Sequence, residues 1–157
     1  LRMIYNHKPS INFHKYLDEK NTPLYPFGYG LSYTKFEYGE PKLSKNTLAT
    51  NNKAKVPVGI TNVGEFEGEE IVQLYIRDKI SSVTRPVKEL KGYKRIHLKV
   101  GETKNVDFTI DSESLAFYDK YMNYGVEPGE FIIMTGSSSA NRDLKSTTLT
   151  VTERIDL

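Results

Sequence analysis

Carboxylates, histidines and serines are the residues through which a chain without cysteine can do acid–base or nucleophilic chemistry. Two adjacent carboxylate pairs stand out, Asp18-Glu19 and Glu69-Glu70. A pair held about 5–5.5 Å apart can cleave a glycosidic bond, one group as acid/base and the other as nucleophile. Neighbours on a strand point to opposite faces, so Glu69 and Glu70 diverge. Asp18-Glu19 falls in a stretch with no regular pattern. Both pairs read as solvated surface carboxylates. His7 and His14 could approach one another, but two imidazoles without a third ligand do not make a metal centre. His97, between Ile96 and Leu98, should face out of its sheet. No serine sits in a Gly-x-Ser-x-Gly setting, and Gly28-Tyr29-Gly30 lacks the third glycine of a dinucleotide loop. The residues thus predict no catalytic group, no metal and no cofactor in this chain, and leave open only a calcium site built from Asp and backbone oxygens. Arg85, in a polar loop from Ser82 closed by Pro86, is either an exposed loop residue or a rigid fork for a carboxylate or carbonyl across a domain boundary.

Composition narrows the classes further. The 157 residues suit one domain with an extra arm. With 22 Lys plus Arg against 20 Asp plus Glu, the net charge of +2 gives no field that points to nucleic acid or anionic lipid. No apolar run is long enough for a membrane-spanning helix. Leu1 to Lys8 lack the apolar core of a signal peptide and begin without Met, as expected for a cut from a longer protein. Cysteine is absent, which removes disulfides and thiolate sites without fixing the compartment. Tryptophan is absent too, which weakens a sugar-platform reading, although tyrosine can substitute.

The elements that would position any site are short and alternating. Ala54, Val56, Val58 and Ile60 alternate with Lys55, Pro57, Gly59 and Thr61, the pattern of a half-buried strand. Pro57 has no N–H, so its nitrogen should face an open edge or a bulge. After a turn over residues 62–68, Val72, Leu74 and Ile76 form the next inward face, with Gln73 and Arg77 outward. Ile96, Leu98 and Val100 repeat the pattern before a turn at Gly101-Glu102, and Val106, Phe108 and Ile110 follow. Phe131 to Met134 are apolar on both faces, as in a central strand, after a turn at Glu127-Pro128-Gly129-Glu130; Leu149 and Val151 close the series. Asp111 should cap one helical turn that tucks Leu115 and Phe117 against the end of the sandwich. The prediction is an all-β antiparallel sandwich over residues 34–157 with an irregular arm over residues 1–33.

The arm carries the densest signal. Residues 25–38 hold Tyr25, Phe27, Tyr29, Tyr33, Phe36 and Tyr38, a third of the chain's 11 Tyr and 7 Phe, around Pro26, Gly28 and Gly30. An irregular backbone with that much aromatic surface needs something to bury it. It is either a flap on its own sandwich or a joint packed against a preceding domain.

The run Pro23-Leu24-Tyr25-Pro26-Phe27-Gly28-Tyr29-Gly30-Leu31-Ser32-Tyr33-Thr34 resembles the segment that leads into the C-terminal domain of family-3 glycoside hydrolases. Tyr5-Asn6-His7-Lys8-Pro9, residues 72–78 (VQLYIRD), residues 82–93 (SVTRPVKELKGY), Glu127-Pro128-Gly129 and Gly136-Ser137-Ser138 follow the same family's order, nearer its β-glucosidase than its β-xylosidase branch. The resemblance implies an immunoglobulin/fibronectin type III-like fold and a non-catalytic role. The aspartate nucleophile and acid/base would lie in upstream barrel and α/β domains, with residues 1–9 as the tail of the latter. The partners implied are those upstream catalytic domains of the same polypeptide, which would hydrolyse terminal β-linked glucose. The β-glucoside itself would be met only indirectly, and the parent would be periplasmic or secreted. Tyr25, Phe27, Tyr29, Leu31, Tyr33, Arg85 and Pro86 become candidate interdomain contacts, with Tyr16 and Asp18 as substrate-proximal candidates. An independent carbohydrate-binding or cell-surface adhesion module is the alternative.

Overall fold

The computed structural model describes residues 3–5, 34–80, 82 and 88–157. In chain order the strands are β1 (Met3–Tyr5), β2 (Phe36–Tyr38), β3 (Thr47–Leu48), β4 (Ala54–Asn62), β5 (Gly68–Asp78), β6 (Lys88–Leu98) and β7 (Thr103–Ile110). A helical turn α1 (Ser112–Leu115) precedes β8 (Phe117–Tyr118), β9 (Tyr124–Val126), β10 (Gly129–Gly136), β11 (Leu144–Val151) and β12 (Ile155–Asp156). They form a six-stranded sheet in the order β1-β6-β5-β10-β11-β3 and two three-stranded sheets, β2-β4-β7 and β12-β9-β8. Every pairing is antiparallel except that of β3 with β11.

The alternation read from the sequence becomes the inter-sheet core. Val56, Val58 and Ile60 of β4 and Val106, Phe108 and Ile110 of β7 pack with Val72, Leu74 and Ile76 of β5, Phe131 and Ile133 of β10, and Leu149 and Val151 of β11. Pro57 fits because β2 pairs only with the far end of β4. Lys55 N–H donates to Ser44 Oγ (2.9 Å) on the side away from β7, and the Pro57 nitrogen, two residues on, faces the same unpaired side. Asp111 caps α1 as expected. Its Oδ1 accepts from Ser114 N (2.9 Å) and Ser114 Oγ (2.8 Å), and Leu115 and Phe117 are buried. Burial works against the Asp111 charge, but these bonds outweigh it and keep its carboxyl below the ordinary range.

Three expectations need correction. β6 starts at Lys88 and ends at Leu98, so Val100 does not share the inward face and is 56% exposed. Its turn is closed by Glu102 N–H to Lys99 O (3.0 Å) with Gly101 at φ +76°, which takes Val100 out of the ladder. Gln73 does lie on the outer face, yet it is buried, as is Tyr75 beside it, because something covers that face of a central strand. Met3–Tyr5, with no strand pattern in the sequence, pairs with β6 in the register Met3↔Leu90, Ile4↔Glu89, Tyr5↔Lys88.

Phe131, 1% exposed at the centre of the core, is the most informative packing test. Phe131→Ala should cost about 3–5 kcal/mol, read as a lower urea midpoint with an unchanged slope.

Candidate functional site

Tyr16, Asp18, Tyr25, Phe27, Tyr29, Leu31, Tyr33, Arg85 and Pro86 all lie outside the described residues. The described chain nevertheless includes the points where both candidate segments join the sandwich.

The first junction is Thr34, where the aromatic run enters. Its hydroxyl donates to Asn62 Oδ1 (2.9 Å), which also accepts from Gly64 N–H (3.0 Å). The Asn62 amide nitrogen donates to Phe66 O (2.8 Å) and Leu98 O (3.1 Å). Both donors and both acceptor directions of a fully buried amide are therefore used. Its backbone adds N–H to Glu102 O (3.0 Å) and O from Gly101 N–H (2.9 Å). One side chain thus ties residue 34, the β4–β5 loop and the β6–β7 turn. Glycines make room for the contact. A Cβ on Gly64 would lie 2.6 Å from Lys35 N, and one on Gly68 2.8 Å from Thr34 Cγ2. Sequence reasoning read Asn62 only as the start of a turn; the Asn-x-Gly spacing, with Gly68 beyond it, was the available signal.

The second junction flanks residues 83–87, among them Arg85 and Pro86. On its near side Lys79 N–H donates to Glu130 O (3.1 Å), Ile80 N–H to Asp78 Oδ1 (3.1 Å) and Ser82 N–H to Glu127 Oε2 (3.1 Å). On its far side Lys88, only 5% exposed, donates from Nζ to Ser139 O and to Asn141 Oδ1 (2.8 Å). Burial, and then the Arg77 charge, push the Lys88 pKa down. Tyr75 OH donates to Gln73 Oε1, and Gln73 Nε2 to Ser137 O (3.1 Å). The segment after β10 is thereby fastened across the outer face of the large sheet. Glu89 and Lys91 form a largely buried ion pair (3.2 Å) beside Ser114 and Leu115 at the α1 end. None of Gln73, Lys88 or Glu89 stood out as a site residue in the sequence, because their burial depends on distant loops.

The carboxylate pair diverges as expected. Glu69 is exposed and paired with Arg95 (Nε to Oε2, 2.9 Å). Glu70 turns inward to the rim of the core, where its Oε1 accepts from Ile71 N–H (2.9 Å) near Tyr38. The Tyr38 hydroxyl is buried and faces Glu70 without the geometry of a hydrogen bond. Burial raises the Glu70 pKa; burial and then the Glu70 charge raise that of Tyr38 above the ordinary phenol range. His97 is exposed, 3.4 Å from Glu67. Among the described residues no three metal-capable side chains converge.

A fibronectin type III-like domain family matches residues 70–139. The chain is 48% identical over 137 residues to a beta-xylosidase of Formosa agariphila, an alignment covering 87% of this chain and 19% of that protein. It is 47% identical over 133 residues to a periplasmic beta-glucosidase of Salmonella typhimurium, covering 85% of this chain and 17% of that one. A solved β-glucosidase from Erythrobacter marinus matches with a TM-score of 0.82 at 41% identity, over 94% of this chain and 19% of its own. The chain spans less than a fifth of the length of each of these relatives.

Two outcomes follow from this geometry. Asn62→Ala should cost about 3 kcal/mol, because several buried backbone groups lose their partners. Amide exchange should speed up at Gly64. For Glu70 the folded pKa lies above the unfolded one, so the folded chain keeps a proton that the unfolded chain has released. Stability should fall as pH rises through that window, and Glu70→Gln should remove the fall and raise the urea midpoint at neutral pH. Urea titrations between about pH 4 and pH 8 check both.

Proposed function

The chain is a fibronectin type III-like domain of the family-3 glycoside hydrolases, which include β-glucosidases and β-xylosidases, and we propose that it is their non-catalytic C-terminal brace. In this reading the catalytic carboxyls lie in upstream domains of the same polypeptide, which hydrolyses terminal β-linked glucose in the periplasm or outside the cell. The sandwich of residues 34–157 steadies those domains, and residues 1–33 are the tail and connection that lead to it. Tyr25, Phe27, Tyr29, Leu31, Tyr33, Arg85 and Pro86 form the joint, and Tyr16 and Asp18 lie nearest the substrate.

The observation that carries the reading is the pairing of Met3–Tyr5 with Lys88, Glu89 and Leu90. A preceding segment that is hydrogen-bonded into the large sheet transmits force as a linker of free chain would not. The Asn62 clamp on Thr34 gives a second rigid attachment at the other end of β6. A brace needs two such points to resist rotation. The divergence of Glu69 and Glu70 supports a mechanical rather than a chemical role for the described residues.

The test is hydrolysis of aryl β-glucosides by this chain beside the longer enzyme. The chain alone should release no product, and the longer enzyme should lose thermal stability and activity together when residues 34–157 are deleted. Turnover by the isolated chain would overturn the reading, as would a truncated enzyme indistinguishable from the intact one.

A further inference from the structure

A sheet edge with unpaired N–H and C=O groups is a template for another strand, and short edges or proline disarm it. Among the described residues β1, β2 and β3 are two or three residues long, and β4 carries Pro57 on its free side. β7 has neither protection. Its eight residues, Thr103–Ile110, pair with β4 in an unbroken register, and among the described residues no strand pairs with its other side. The pairing fixes which groups that side presents. Lys55 N–H and the Gly59 carbonyl point away from β7, to Ser44 Oγ (2.9 Å) and Gly39 N–H (2.8 Å). Opposed residues of an antiparallel pair either bond each other or both turn away. Thr109, Asp107 and Asn105, opposite Lys55, Pro57 and Gly59, therefore present their N–H and C=O groups at the open edge of β7. β6 is open beside it. Among the described residues β1 covers only Lys88 to Leu90, so residues 92–98 have strand pairing on the β5 side alone.

Two lysines cross between these edges. Lys94 of β6 donates from Nζ to Asp107 O on β7, and Lys104 of β7 donates from Nζ to His97 O on β6 (2.6 Å). The Lys94 ammonium also lies 5.6 Å from the centre of the Phe108 ring, which places its side chain over a core residue. A strand added to either edge would have to displace an ammonium from a carbonyl it needs, and would bury that charge against its own backbone. We propose that Lys94 and Lys104 are reciprocal caps that close this side of the sandwich to strand addition, and that the partner they exclude is the β7 edge of a second copy of this chain. The edge itself specifies that partner. A second β7 turned about a two-fold axis offers the same N–H and C=O groups in antiparallel order. Setting Asn105 opposite Asp107 pairs those groups and keeps the two Asp107 carboxylates from meeting. The inference concerns the sandwich alone and stands apart from the brace reading.

The experiment uses this chain carrying Lys94→Met with Lys104→Met. Methionine keeps an unbranched stem over Phe108 and removes the ammonium. Lys94→Gln with Lys104→Gln removes the charges but leaves polar ends, and Lys94→Arg with Lys104→Arg keeps the charges. Lys53→Met with Lys120→Met, at exposed lysines outside both edges, adds the same apolar surface and is the control. The Met and Gln variants should sediment as dimers at concentrations where the unaltered chain, the Arg variant and the control are monomers. In those dimers amide exchange at Asn105, Asp107 and Thr109 should slow about tenfold. Circular dichroism identifies a double variant that does not fold, and Lys104→Met alone, which leaves Lys94 over Phe108, then decides by the same two readouts. Monomers throughout would overturn the proposal, as would dimers that the control forms equally. Dimers whose three edge amides exchange at the monomer rate would place the contact elsewhere and overturn it too. So would an unaltered chain that is already a dimer with those amides protected, because the lysines would then exclude nothing.

Discussion

A buried primary amide has two donors and two acceptor directions that water cannot reach, and each left empty costs stability. Asn62 meets all of them at once, using Thr34, Gly64, Phe66 and Leu98. Those partners come from three stretches of chain. The β4–β5 loop, the end of β6 and the first residue of the sandwich proper are consequently held in one arrangement. Thr34 can approach only because Gly64 and Gly68 lack side chains. The place of Thr34 on the sandwich is fixed by this one residue.

The outer face of the large sheet obeys the same rule through different groups. A sandwich buries one face of each sheet and leaves the other to water. Here Tyr75 and Gln73 of β5 and Lys88 of β6 lie on the outer side of the sheet and are nonetheless buried. Gln73 and Lys88 are satisfied by the segment that follows β10, through the carbonyls of Ser137 and Ser139 and the amide oxygen of Asn141, and the Tyr75 hydroxyl donates to Gln73 Oε1. A buried ammonium is tolerable only with such partners, and burial, then the Arg77 charge, pushes the Lys88 pKa down. The result is a sheet whose outer face is stiffened next to the strand β1.

These constraints favour a scaffold. Carboxylates that would have to converge for sugar chemistry point to opposite sides of β5 and find separate partners, Arg95 outside and the Tyr38 rim inside. What the described residues share is fixation of loops and ends by short, well-satisfied polar contacts. Much longer relatives match this chain over 85% or more of its extent, and the solved one shares its fold.

The sequence alone determined the inward faces of β4, β5 and β7, the central place of β10, the cap at Asp111 and the turn at Gly101, because each depends on residues within a few positions of one another. Period-two alternation dictates which side of a strand meets a core, and capping chemistry acts across a single turn. The aromatic run also identified the family, since its wording is specific whatever its conformation. Only the tertiary structure decided that Gln73 would be buried on an outward face, that β6 would reach back to Lys88, that Met3–Tyr5 would join its edge, and that Asn62 would be a hub. Those outcomes depend on partners 28 to 87 positions away, and no local periodicity encodes what a distant loop will cover.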